Sequence, residues 1–289
     1  MPAAVVTPGL DRHAELREFL HSRRARLKPE DVGLPTHGRR RVPGLRREEL
    51  AQLAGVSFTY YVRLEQGYGD GISVQVLNAV ARALRLTEDE HAHLIGLAQA
   101  ERQSAAQVEG RQRLRPVVQH LLDALGVPAF VVGRRLDVLG RNPLAAAVFG
   151  NWTPMWPEER SLPRLFFLTP MLRERCADPG RVAAMIVGTL RVCVGKYPDD
   201  PHVAMLVGEL SAKSAEFQRL WAQHDVGCGR NGRIVRMEHP LVGEFQLVPV
   251  SMVLSDDCSQ RLLTFHAEPG SSSEKSLRTL ADGESEPLR

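Results

Sequence analysis

Apolar residues recur at helical spacing through the first hundred positions. Leu16, Phe19, Leu20 and Leu27 share one face of a segment rich in arginine, and Pro29 halts it. A second helix spans Leu45 to Ala54, with Leu45, Leu50, Leu53 and Ala54 apolar and Gly55 just past its end. Ser57 is an N-cap for a third, since its hydroxyl can accept a bond from a free backbone N–H, and Gly67 suits that helix's far end. Ser73 opens a fourth, carrying Val76, Leu77, Val80, Ala81 and Leu84 on one face. Thr87 and Glu90 form a capping box for a fifth, followed by Leu94, Ile95 and Leu97.

Beyond Ala98 the rhythm changes. "AQAERQSAAQVEGRQRLR" is polar, is interrupted by Gly110 and ends before Pro116, as a partly helical connector would. "AFVVG" and "RLDVLG" then read as two short strands joined by a tight turn. Asn142-Pro143, Asp178-Pro179 and Asp200-Pro201 each open a helix with proline in its first turn, and "SAEFQRLWAQH" is another. "GRIVRMEHP", "GEFQLVPVSMVL" and "QRLLTFHAE" read as strands, with alternation at Phe245 and Leu247 and again at Val250, Met252 and Leu254. Strands at both ends with helices between them predict an α+β layer with an antiparallel sheet. The division is therefore 1–100, a five-helix domain; 101–115, a connector; 116–268, the α+β domain; and 269–289, a Ser-, Glu- and Gly-rich tail expected to be largely disordered, with one or two helical turns at its middle.

The join between the second and third helices is only "GVS", the tight turn of a helix-turn-helix. On the third helix Tyr61 and Leu64 share a face, which must meet Leu50 and Leu53. Phe58, Thr59, Val62 and Arg63 are then left pointing outward. An exposed Phe and Val are unfavourable unless a partner covers them, and a major groove does so: thymine methyls accept apolar contact and guanine offers an acceptor pair to arginine. Charge sharpens this picture. Residues 17–63 hold eleven basic side chains against five acidic ones, a local excess of six in a chain of net charge +3, so the remainder is weakly acidic. That is the pattern of a polyanion-binding module joined to something else.

Other chemistry is thinly represented. The longest apolar runs fall far short of a membrane span of about 20 residues, and no basic stretch precedes an apolar one at the N-terminus, so neither membrane insertion nor a signal peptide is expected. Cys176, Cys193, Cys228 and Cys258 lie in no metal-ligand spacing and are expected as reduced thiols of a cytoplasmic protein. HExxH, a phosphate-binding P-loop and a nucleophile elbow are all missing from the sequence. No catalytic residue, metal or cofactor is therefore expected.

"EELAQLAGVSFTYYVRLEQG" followed by "SVQVLNAVARAL" resembles the five-helix Cro/repressor class of helix-turn-helix, the XRE-type regulators. Together with "RRVPGLRREELAQLAGVS", "PAFVVGRRLDVLGRNPLAA", "ELSAKSAEFQRLWAQHDV" and "HPLVGEF", it resembles more specifically the MmyB-like regulators of actinobacteria, over Leu16 to Leu280. That resemblance implies a multidomain protein. Its N-terminal part would be an all-α Cro/repressor-type helix-turn-helix, and its C-terminal part an α+β, PAS-like ligand-binding domain. It implies double-stranded DNA as partner, with Phe58, Thr59 and Arg63 at base-reading positions. Arg47 and Tyr60 would touch the backbone, and Arg46 and Ser57 are further DNA-binding candidates. Arg39, Arg40 and Arg41, in the long loop after the first helix, are placed for phosphates or a minor groove. It also implies a homodimer and a small, partly apolar ligand of the fatty-acid type. The candidate lining is Phe130, Val132, Leu139, Asn142, Trp221 and His224.

Overall fold

The computed structural model describes residues 11–35, 42, 44–99, 112–151, 160–197, 200–227, 234–255 and 257–284. Chain contacts divide it into two units: Met1–Glu109 with Arg191–Gly208 and Leu220–Gly227, and Gly110–Leu190 with Glu209–Arg219 and Cys228–Arg289. The α+β region expected as one continuous stretch from 116 to 268 is thus shared, because two of its segments pack with the N-terminal helices.

In the first unit the helices are α1 (Arg12–Arg26), α2 (Arg47–Ala54), α3 (Phe58–Glu65), α4 (Val74–Ala83) and α5 (Glu88–Ala98). Each N-cap expected from the sequence is made. Ser57 Oγ accepts from Tyr60 N–H, Ser73 Oγ from Val76 N–H, and Thr87 completes its capping box with Glu90. Leu16, Phe19 and Leu20 of α1 meet Leu50, Tyr61, Leu64, Leu77 and Leu94 in one core from which water is excluded. Gly55 ends α2 at φ 66°, a left-handed backbone that costs a side chain roughly 1–2 kcal/mol, and so turns the chain within three residues. Leu53 departs from expectation: it is 37% exposed, and α3 packs on Leu50 and Ala51 instead.

The second unit is built on a five-stranded antiparallel sheet of order β2-β1-β5-β4-β3. Its strands are β1 (Ala129–Val132), β2 (Val138–Arg141), β3 (Val235–His239), β4 (Gly243–Leu254) and β5 (Asp257–His266). One face carries Ala129, Val131 and Leu262, covered by Val118 and Leu122 of α6 (Pro116–Ala124). Between β2 and β3 come α7 (Pro143–Phe149), α8 (Leu162–Phe167), α9 (Pro179–Lys196), α10 (Pro201–Lys213) and α11 (Ala215–Trp221). The tail is not largely disordered: Ser272–Glu284 forms α12, which packs on α7 and β4. Leu277 and Leu280 are buried there, and Ser273 Oγ accepts from Gln246 N–H at 3.0 Å. A moderate helical period of two leucines three apart is enough once a sheet supplies the opposite surface.

Candidate nucleic-acid interface and ligand cavity

The outward face of α3 follows from its inward one. Tyr61 and Leu64 are fully buried, so Thr59 and Arg63, on the far side of the helix, must face solvent. Phe58 is 47% exposed, Thr59, Tyr60 and Arg63 are exposed, and Val62 is half-buried. A phenyl ring left in water at the start of a helix, beside a threonine and an arginine, is a surface that wants a partner. Arg46 is exposed just before α2, where its backbone N–H donates to Glu49 in a capping interaction. Arg39, Arg40 and Arg41 lie outside the described residues.

What orients α3 is a carboxylate that the sequence reading passed over. Glu65, 1% exposed, accepts from Arg24 Nε and Nη2 at 2.9 and 2.6 Å and from Arg47 Nε at 2.6 Å. Arg24 also donates to the Leu45 carbonyl at 2.6 Å. One buried charge thereby ties α1, α2 and α3 together. Arg47, placed by resemblance at the DNA backbone, spends its Nε on this clamp while about half of its side chain stays in solvent. The signal in the sequence was only a Glu in the last turn of the helix, directly after Leu64 on its buried face.

The first unit also holds Trp221 and His224. Arg191, fully buried, donates to Glu15 Oε2 at 2.8 Å and to the Trp221 carbonyl, and its guanidinium lies 3.9 Å from the Trp221 ring centroid. His224 Nδ1 faces the same guanidinium at 3.1 Å. Burial first, and then the nearby Arg191, push the His224 imidazole down to about 4. Trp221 and His224 therefore serve Arg191, and neither is in the lining of the second unit's cavity.

The second unit contains a cavity of about 620 Å³, within the range of small-molecule sites. Strand alternation explains its floor. Phe130 pairs with Leu263 and Val132 with Arg261, so the alternate residues of β1 and of β5 (Arg261, Leu263, Phe265) share the face opposite α6. Pro249, Ser251 and Val253 continue that face on β4. Val182, Met185, Ile186 and Thr189, on one side of α9, supply a wall. Cys176 is in the lining too, and burial raises its thiol to about 11, so it stays neutral. Arg261 is the one charged side chain among the described residues that line the cavity.

Of the expected lining, Phe130 and Val132 are there. Leu139 is not: pairing shifts between Val131↔Gly140 and Val132↔Val138, which leaves Leu139 as the extra residue of a bulge and packs it against the α6 cluster. Asn142 is 2% exposed and has no polar atom to spare. Its Oδ1 accepts from Ala129 and Ala145 N–H, and its Nδ2 donates to the Leu125 and Val127 carbonyls. It caps α7 and fixes the entry to β1. Among the described residues, no group of three or more His, Cys, Asp or Glu could hold a metal ion. No described helix is long and apolar enough to cross a membrane.

Two family models match. One, described as the MmyB-like transcription regulator ligand binding domain, covers residues 114–280, more than half of the chain. The other, described as a helix-turn-helix domain, covers residues 15–94. No curated protein matches the sequence.

Proposed function

The chain belongs to the MmyB-like transcription regulators, DNA-binding proteins that carry a ligand-binding domain, and from that premise we propose that it senses an amphipathic small molecule of the fatty-acid type and alters its hold on an operator in response. The cavity of about 620 Å³ in the second unit, apolar on the sheet face and on α9, carries the reading. Where Phe130, Val132 and Ile186 line it, an apolar occupant is favoured over water. On this reading the N-terminal domain is of Cro/repressor type and the second domain PAS-like, and the protein works as a cytoplasmic homodimer that binds and does not transform its ligand.

At the DNA, Phe58, Thr59 and Arg63 read base edges, while Arg46, Arg47, Ser57 and Tyr60 border phosphates. A ligand shifts DNA affinity only as far as it binds two states of the protein unequally. The test fills the cavity. Val132 is 1% exposed and lies in the floor, so Val132→Trp occupies the space a ligand would use. Wild type should melt higher with saturating medium-chain fatty acid, by an amount equivalent to about 2.7 kcal/mol at a hundredfold excess over the dissociation constant. The Val132→Trp protein should show no such rise and should keep its DNA affinity. A wild type that no fatty acid stabilises refutes the sensor reading and favours a second domain that docks protein.

A further inference from the structure

The cavity is chemically polarised along β5. At one end Phe130, Phe149 and Phe265 are buried against one another, with ring centroids 4.7 Å apart for Phe149–Phe265 and 5.3 Å for Phe130–Phe265. Four residues along the strand, roughly 13 Å at strand rise, stands Arg261. Its register partner on β4 is Val253, which lines the cavity yet is 52% exposed. The cavity therefore opens to solvent at the arginine end and closes in aromatic side chains at the other.

Arg261 is also held in a particular way. Its Nε donates to Ser251 Oγ at 3.0 Å, from the strand beside it. That bond holds the guanidinium by its Nε edge and does not use the donors on Nη1 and Nη2. Asp257, the carboxylate four residues back on the same strand, is engaged elsewhere. Burial pushes its carboxyl up, but the bonds it accepts from Ser259, Gln112 and Gln260 together outweigh that and hold it below the usual range. The planar fork of an arginine matches a carboxylate with two parallel N–H···O bonds, a geometry neither a hydroxyl nor an amine can satisfy.

We propose that Arg261, positioned by Ser251, is the residue that selects the ligand's head group. The cavity then takes a single-chain carboxylate tail first, with the chain end among the three phenylalanines and the carboxylate at the mouth. This rests on the ligand-sensing reading above and adds orientation and selectivity to it. The selectivity is for charge more than for chain shape, because the walls are mostly apolar and discriminate only weakly between chains of equal length.

The experiment titrates the full chain with dodecanoic acid, dodecanol and dodecylamine at pH 7.5, by calorimetry and by native mass spectrometry. Wild type should bind the acid at least tenfold more tightly than the alcohol, and the amine more weakly still. Arg261→Gln should lower acid affinity at least tenfold and leave the alcohol unchanged, and Arg261→Lys should recover part of the loss. Thermal melting of the ligand-free variant shows whether it is folded, and the wild-type comparison of the three probes stands even if it is not. Equal binding of acid and alcohol by wild type, or acid binding unaffected by Arg261→Gln, overturns the role of Arg261 while leaving a ligand cavity in place. Binding of none of the probes overturns that role together with the sensor reading on which it rests.

Discussion

His93 is a histidine kept neutral by its surroundings. Its ring is 2% exposed, meets Phe19 edge-on with centroids 5.0 Å apart, and neither ring nitrogen finds a hydrogen-bond partner among the described residues. Space against it is so tight that a Cβ on Gly195 would fall 2.2 Å from Nδ1. Burial first, then the charges of Arg191 and Arg23 and the nearby His224, lower its pKa from 6.5 to about 3. The folded protein thus refuses a proton that the unfolded chain accepts below pH 6.5. Stability contributed by the neutral ring is complete above pH 6.5 and is lost as pH falls from there toward 3. Between pH 6.5 and 5 the loss should approach about 2 kcal/mol, at about 1.4 kcal/mol per pH unit. Urea denaturation across this range checks it: His93→Leu should flatten the slope, and an equal slope in both proteins would show that the proton goes elsewhere.

At the scale of elements, the aim of α3 depends on the Glu65 clamp. Arg24 is 7% exposed and Glu65 1%, so removing the carboxylate strands a guanidinium inside the protein. Glu65→Ala should destabilise the first unit by about 3–5 kcal/mol, whereas Glu65→Met combined with Arg24→Met should recover most of that loss, because a packed apolar pair has no unpaired charge. The measurement is the midpoint of urea denaturation for the single and double variants. Equal midpoints would mean the clamp is solvated and does not fix the helices. The double variant is expected to bind DNA more loosely than wild type even where its stability returns, since three helices then lose the bonds that set their angles.

For the molecule as a whole, the area of α3 available to a groove is small. Phe58, Thr59 and Arg63 occupy less than two turns, enough for only a few base pairs. Regulators of this geometry gain affinity by placing two such helices about 34–36 Å apart on one face of the duplex. The protein is therefore expected to sediment at micromolar concentration as a dimer on a repeated site, and to lose affinity steeply when the half-sites are moved by five base pairs. A monomer both free and on its best site refutes this.

Much of this architecture is decided locally and so was legible in residues alone. Ser57, Ser73 and Thr87 cap helices because a side-chain oxygen beside free N–H groups needs nothing distant. Gly55 turns the chain by its own φ, and the burial of Phe245 and Leu247 on β4 follows from the pleat, although Val250 and Met252, expected to continue that alternation, are exposed. The buried face of α3 fixed its exposed face, and with it Phe58, Thr59 and Arg63. What depended on partners far along the chain was hidden. Leu139 left the floor of the cavity because of a one-residue bulge, and no composition reports a bulge. Trp221 and His224 were drawn toward a fully buried arginine whose acidic partner, Glu15, is 176 positions away in sequence. The tail became α12 only because β4 and α7 offered Leu277 and Leu280 somewhere to go. Arg261 reads in sequence as an ordinary charge on an alternating strand. Only pairing with Val132 and Val253 brings it to the mouth of an apolar cavity, because the face a strand residue occupies is set by its register with its neighbours.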